Sequence, residues 1–307
     1  MPPPRPSASE ARSEPKANGV TTARLQAAGR FGVRVLGRFP RRLLACGLVL
    51  LLAACSTAPL SIEEERELGA EVEKEARTQL DLVHDEIVVG YVAGLGNDLL
   101  RVMGPQPFDY DFYVVQDDEL NAFAMPGGSI YVHTGLILKA RNVSELIGVM
   151  GHEVGHVYHR HVAQNYRRQR NTGIAQQLGV LVVGVLAGGT AAQATNLLTG
   201  VGAMAYLNQF GREAERQADA FAVETVPKAG YDPNGITSFF STLIHEYGDR
   251  GDSFLSSHPA TQERIQNTQA LIRAEHLPPG LREDDDGKLE IIQHRIGLLT
   301  GKKPRRR

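Results

Sequence analysis

His152-Glu153-Val154-Gly155-His156 is an HExxH pattern, and it works as a unit only on an α-helix. There the two histidines lie one turn apart on a single face, close enough for both imidazoles to reach one metal ion. Glu153 projects beside that face, where its carboxylate can act on a water without being a ligand, as a general base must. The spacing therefore predicts a central helix with a metal-binding stripe. That helix is expected to start at Asn142, a favourable N-cap residue, with Glu145 three positions on as the second half of a capping box.

Zinc bound for catalysis needs a third protein ligand and one open position. The segment 212–219 (REAERQAD) reads as a second helix, with Glu215 and Asp219 one turn apart on one face. With Glu215 as ligand, Asp219 is left to accept the remaining imidazole N–H of a histidine, most simply His152, fixing its tautomer. Spacing alone leaves Glu213 open as a ligand. It does not exclude His159, one turn beyond His156, whereas His161 falls off that face and is expected to be structural. His84, His133, His245, His276 and His294 carry no ligand signal.

Around this centre the chain reads as one domain with helices at both ends. Residues 61–79 are acidic and helix-prone, with Ser61 and Glu64 as a capping box and Leu68, Val72, Ala76 and Leu80 recurring every four residues. A second helix is expected over 86–103, closed by Pro105 and Pro107. Residues 110–115 (YDFYVV) and 129–132 (SIYV) are aromatic and β-branched, with Pro126-Gly127-Gly128 as the turn between strand segments. Residues 171–211 contain no charged side chain, so they need cover, either as core helices under the site or as a surface for lipid or a hydrophobic partner. Further helices follow Asp232-Pro233 to about residue 275, and residues 281–307 are expected to be a C-terminal tail. The resulting fold class is α+β, mainly helical with a small sheet.

The formal net charge of -2 conceals two parts. Residues 1–54 carry nine Lys or Arg against two acids, leaving 24 basic and 33 acidic residues in the remainder. An acidic body argues against a nucleic-acid partner. Arg41 and Arg42 precede the apolar run 43–54 (LLACGLVLLLAA), which suits a signal-peptide core and is too short to span a membrane. Residues 1–54 are therefore expected to be a leader. The run ends in Leu52-Ala53-Ala54-Cys55-Ser56, which resembles a bacterial lipobox. The resemblance implies cleavage before Cys55, lipidation of its thiol, and residues 55–60 as a tether. Ser56, where an aspartate often retains such proteins at the inner membrane, points to the outer membrane and its periplasmic face. Cys46 leaves with the leader, so the remaining chain has one cysteine and no internal disulfide.

HEVGH, the downstream EAERQAD and the preceding segment 121–128 (NAFAMPGG) occur here in one order. They are joined by Tyr231-Asp232-Pro233 and by Phe254-Leu255-Ser256-Ser257-His258-Pro259 with Arg264-Ile265. Together these residues resemble metallopeptidase family 48, of the gluzincin type, over residues 61–272. The resemblance implies a zincin-type domain over 61–280 and one Zn2+ per subunit held by His152, His156 and Glu215, with Glu153 activating the water that cleaves peptide bonds. It places Asn121 and Ala122 on an edge strand to which an extended substrate adds its backbone. In some periplasmic members a late histidine fills the open zinc position and keeps the enzyme latent. His258 matches that region, the alternative being a turn histidine that packs the last helix.

Two functions of different class follow. One is a zinc metalloendopeptidase of the bacterial envelope acting on misfolded or unassembled envelope polypeptides. The other is a lipid-anchored chaperone or scaffold for unfolded outer-membrane proteins, suggested by the uncharged segment 171–211. The family's larger periplasmic members carry a long helical-repeat extension that has no counterpart after Ile272, which weighs against stable docking to the outer-membrane barrel assembly machinery.

Overall fold

In the computed structural model the described residues are 60–170, 209–247, 254, 257–259 and 262–301. Helix α1 spans Ile62–Gln79 and opens on the expected capping box: the Ser61 hydroxyl accepts from Glu64 N, and the Glu64 carboxylate accepts from Ser61 N. Helix α2 follows at Glu86–Met103, capped by Asp85, whose carboxylate accepts from the Ile87 and Val88 amides.

Three short strands come next, β1 at Asp111–Val115, β2 at Ala122–Ala124 and β3 at Ser129–His133. Strand β3 is central, parallel to β1 and antiparallel to β2, so β2 lies at the edge. The strands alternate as a two-sided sheet must. Phe112, Val114, Ala122, Ile130 and Val132 enter the main core, whereas Tyr113, Tyr131 and Phe123 face the other way and pack with Val72 and Ala76 of α1. On that second face Tyr131 stacks between Tyr113 and Phe123, with centroids 4.9 and 5.1 Å away. Gly128, at φ 117°, makes the turn into β3; a Cβ there would sit 2.0 Å from the Asp109 carbonyl oxygen.

Helix α3 (Thr134–Lys139) leads into α4 (Val143–Tyr158), which is buried from Val143 to Val157. A helix buried all round lies at the centre of its domain, and α4 is covered by β2 and β3 together with α6 (Arg212–Lys228) and α7 (Asn234–Tyr247). Asn142 caps it through Glu145 N, as expected. The box is only half closed, because the Glu145 carboxylate instead accepts from the Arg141 amide and guanidinium and from the Ser238 hydroxyl. A cationic side chain one residue upstream outcompetes the amide of Asn142.

Helix α5 (His161–Arg170) continues after a sharp junction, and α8 (Gln262–Ala274) packs on α6 and α7. Within the segment set apart as a tail, α9 (Lys288–Thr300) buries Leu289, Ile292 and Ile296 against α2 and α3. Its Arg295 guanidinium clasps the Asp85 carboxylate at 2.6 and 2.7 Å. No helix among the described residues is long and apolar enough to cross a membrane. Cys55 and most of the uncharged segment lie outside the described residues.

Candidate metal centre

The centre is assembled by close approach of α4 and α6. Gly155 makes this possible: a Cβ there would lie 3.1 Å from both Cα and O of Ala218 and 3.2 Å from the Phe221 Cβ. That contact brings Glu215 and Asp219 to the histidine face of α4. Glu213, which spacing left open, turns outward and pairs with Arg216 at 2.7 Å.

Four buried side chains, His152, His156, Glu215 and His258, each offer a donor atom, and these atoms all lie within 4.8 Å of one another. The two Nε2 atoms of His152 and His156 are 3.0 Å apart. His258 Nδ1 is 3.2 Å from His152 Nε2 and 3.1 Å from Glu215 Oε1. Glu215 places Oε2 3.4 Å from His152 Nε2 and Oε1 3.5 Å from His156 Nε2. Glu153 is fully buried alongside, its Oε1 3.5 Å from His258 Nε2, and neither of its oxygens has a hydrogen-bond partner. Ring nitrogens and a carboxylate converging in one buried cluster are a donor set that suits a divalent cation, so the residues fit a metal of the nitrogen- and oxygen-liganded kind.

The outer nitrogens are held from behind. Asp219 Oδ1 lies 2.9 Å from His152 Nδ1, and the same carboxylate grips the Arg264 guanidinium at 2.6 and 2.7 Å. Arg264 also reaches Glu215 Oε2 at 2.5 Å. His161 Nδ1 lies 2.9 Å from His156 Nδ1, and its Nε2 meets Gln217 Oε1 at 3.0 Å. The junction before α5 explains how an off-face histidine gets there. Arg160 adopts φ 58°, an uncommon conformation for a non-glycine residue, and its Nε donates to Glu65 Oε2 at 2.6 Å. This turn folds His161 back onto His156. Phe210 covers the other side, its ring stacked on His156 with centroids 3.9 Å apart.

Burial and the Arg264 guanidinium push the His152 imidazole down, yet its bonds to Asp219 and Glu215 outweigh them and hold its pKa at about 9. Burial, joined by the charge at His152, pushes His156 well below its ordinary range. Desolvation alone would raise Glu215 and Asp219, but His258 and Arg264 hold the first well below its ordinary value, and Arg264 holds the second below its own. Glu153, buried without a donor, is pushed up.

Sequence reasoning took Arg264 only as part of a motif, and missed its place at the centre, the part of Phe210 and the contact of His161. For Arg264 a signal existed, since three buried carboxylates, Glu153, Glu215 and Asp219, demand a buried cation. Asn121 immediately precedes β2 and Ala122 opens it; the Asn121 carbonyl accepts from His133 N at 3.0 Å, and β2 packs against α4.

A buried HExxH helix, joined by a carboxylate from a second helix in a mainly helical α+β domain, defines a zincin-type metallopeptidase fold. Residues 90–272 match Peptidase family M48, and the chain belongs to that family. It is 28% identical over 224 residues to the beta-barrel assembly-enhancing protease of Escherichia coli K12 and 29% over 226 residues to that of Yersinia pestis. Each match takes in 72% of this chain and 46% of the relative, so the chain spans about half the length of these curated relatives. It is also 29% identical over 183 residues to metalloprotease LoiP of Escherichia coli K12, covering 60% of this chain and 70% of the relative.

Proposed function

We propose that this chain is a zinc-dependent metalloendopeptidase of the bacterial cell envelope, acting on misfolded or unassembled envelope polypeptides. The convergence of His152, His156 and Glu215 beside an unpartnered Glu153 carries the reading. When bound, zinc supplies Lewis acidity, which polarises a carbonyl and acidifies water. Glu153 takes a proton from the attacking water and hands it to the leaving amine nitrogen, a role suited to a carboxylate whose oxygens are otherwise unengaged. Asp219 holds the His152 ring through Nδ1 and is itself held by Arg264; His161, braced by Gln217, does the same for His156. The edge position of β2 suits an extended substrate, whose backbone would add beside Asn121 and Ala122.

His258 stands as a fourth donor, and a catalytic zinc site needs that position open. The four-donor arrangement is accordingly a latent form, active once His258 withdraws. Residues 1–54 serve as leader, Cys55 carries the lipid at the head of the tether 55–60, and the peptidase domain covers 61–280 with α9 bracing it from the tail region. Relatives named beta-barrel assembly-enhancing protease fit an envelope setting, and Ser56 after Cys55 favours an outer-membrane anchor facing the periplasm. Removing zinc with a chelator should abolish cleavage of an unfolded porin, and stoichiometric zinc should restore it. Cleavage that persists in metal-free protein would overturn the reading.

A further inference from the structure

We propose that Asp117, Glu119 and His133 form a second divalent-cation site, suited to Zn2+ or a similar first-row ion, at the end of the sheet. The site shares no residue with the His152 cluster. One donor atom from each of the three side chains lies within 4.8 Å of the others.

His133, the last residue of β3, is the observation that separates this group from an ordinary acidic loop. It is only 5% exposed, yet neither Nδ1 nor Nε2 has a hydrogen-bond partner. Buried imidazole nitrogens are normally satisfied, because an unpaired polar atom loses its water without replacement. Nδ1 faces Asp117 Oδ1 at 3.9 Å, too far for a hydrogen bond. Ligand bonds of roughly 2.0–2.2 Å place two donors on one zinc ion about 3–4 Å apart, so this gap is the width of an ion.

Asp117 is held in place. The Asp117 carbonyl accepts from Gly135 N at 2.7 Å and from the Thr134 hydroxyl at 2.8 Å, and its amide donates back to that hydroxyl at 3.1 Å. Glu119 N donates to Asp117 Oδ1 at 2.9 Å, which fixes the Asp117 carboxylate against the Glu119 backbone. The edge of the Phe123 ring relation, centroid 5.7 Å away and nearly perpendicular, orients the His133 ring.

One imidazole and two carboxylates balance a divalent charge, and the half-open side, where Asp117 and Glu119 are exposed, leaves room for water ligands. Calcium prefers six to eight oxygens, and magnesium keeps a near-octahedral shell of oxygens, so the mixed donor set favours zinc and its neighbours. An ion here would pin the 116–121 loop to β3. Because His133 N also donates to the Asn121 carbonyl, the same ion would brace the start of edge strand β2.

The test is isothermal titration of ZnCl2 into protein already holding one zinc at the His152 cluster. Asp117→Asn combined with Glu119→Gln changes only exposed carboxylates, and His133→Gln removes the buried donor. The expected result is one further equivalent, bound at least tenfold more weakly in both variants, with near-UV circular dichroism unchanged. No further equivalent, or one of undiminished affinity in the Asp117/Glu119 double variant, would overturn the site. Should His133→Gln fail to fold, the double variant alone decides.

Discussion

Asp219→Asn removes one charge from the most tightly bonded part of the centre while keeping its shape. Asp219 accepts from Arg264 Nε and Nη2 and meets His152 Nδ1, all in a buried setting. An amide offers a single acceptor oxygen, so either His152 or Arg264 faces an N–H instead. Losing the outer partner of a metal histidine costs about 10–100-fold in metal affinity, equivalent to ~1.4–2.7 kcal/mol. Metal-free protein suffers separately, because removing one member of a buried ion pair costs about 3–5 kcal/mol. The contact of Arg264 with Glu215 at 2.5 Å survives and places the effect near the lower end. About 3 kcal/mol in a domain of this size corresponds to roughly 6–12 °C in Tm. Competition with a chromogenic chelator reads the first effect, and thermal unfolding of metal-free protein reads the second. Zinc affinity within twofold of wild type, together with an unchanged Tm, would refute the assignment of Asp219 as the residue that holds both His152 and Arg264.

If nine molecules in ten hold His258 in the closed position, His258→Ala should raise cleavage of casein by roughly tenfold; unchanged turnover would remove the latency proposal. Gly155→Val should separate α4 from α6, costing about 1–3 kcal/mol in urea unfolding and weakening metal binding through displacement of Glu215. The Arg295 guanidinium, through its hydrogen bonds, holds the Asp85 carboxyl below its ordinary value. This clasp therefore stabilises the fold above the unfolded Asp pKa of about 3.9 and loses that contribution as pH falls through the lower folded value. Arg295→Ala should lower Tm at neutral pH and flatten its dependence on pH below about 4; parallel Tm curves for the two proteins would contradict the clasp.

Local chemistry made much of this fold legible. The capping box at Ser61, the prolines after Met103 and the aromatic alternation before and after the Pro126 turn mark their elements within a residue or so. Strand β2 has three residues and α3 six, too few for a period to stand out. Helix α9 was obscured by the acidic run before it and the basic residues after it, although Leu289, Ile292 and Ile296 carry helical spacing. At the centre, HExxH and the downstream Glu215 and Asp219 were readable because each set lies within one helix. Arg264 comes from α8, Phe210 stacks on His156 from just before the start of α6, and His161 arrives through a left-handed turn at Arg160; no spacing within one helix encodes those contacts.

The His152 cluster is proposed to bind the metal while Glu153 supplies the base, and Glu153→Gln separates the two roles. Zinc content and cleavage of unfolded casein should be measured on one purified sample of that variant. One tightly held zinc ion and an unchanged Tm, with cleavage reduced by about 10²–10⁴-fold, are the predicted result. Undiminished cleavage, or loss of the tightly held zinc along with activity, would contradict it.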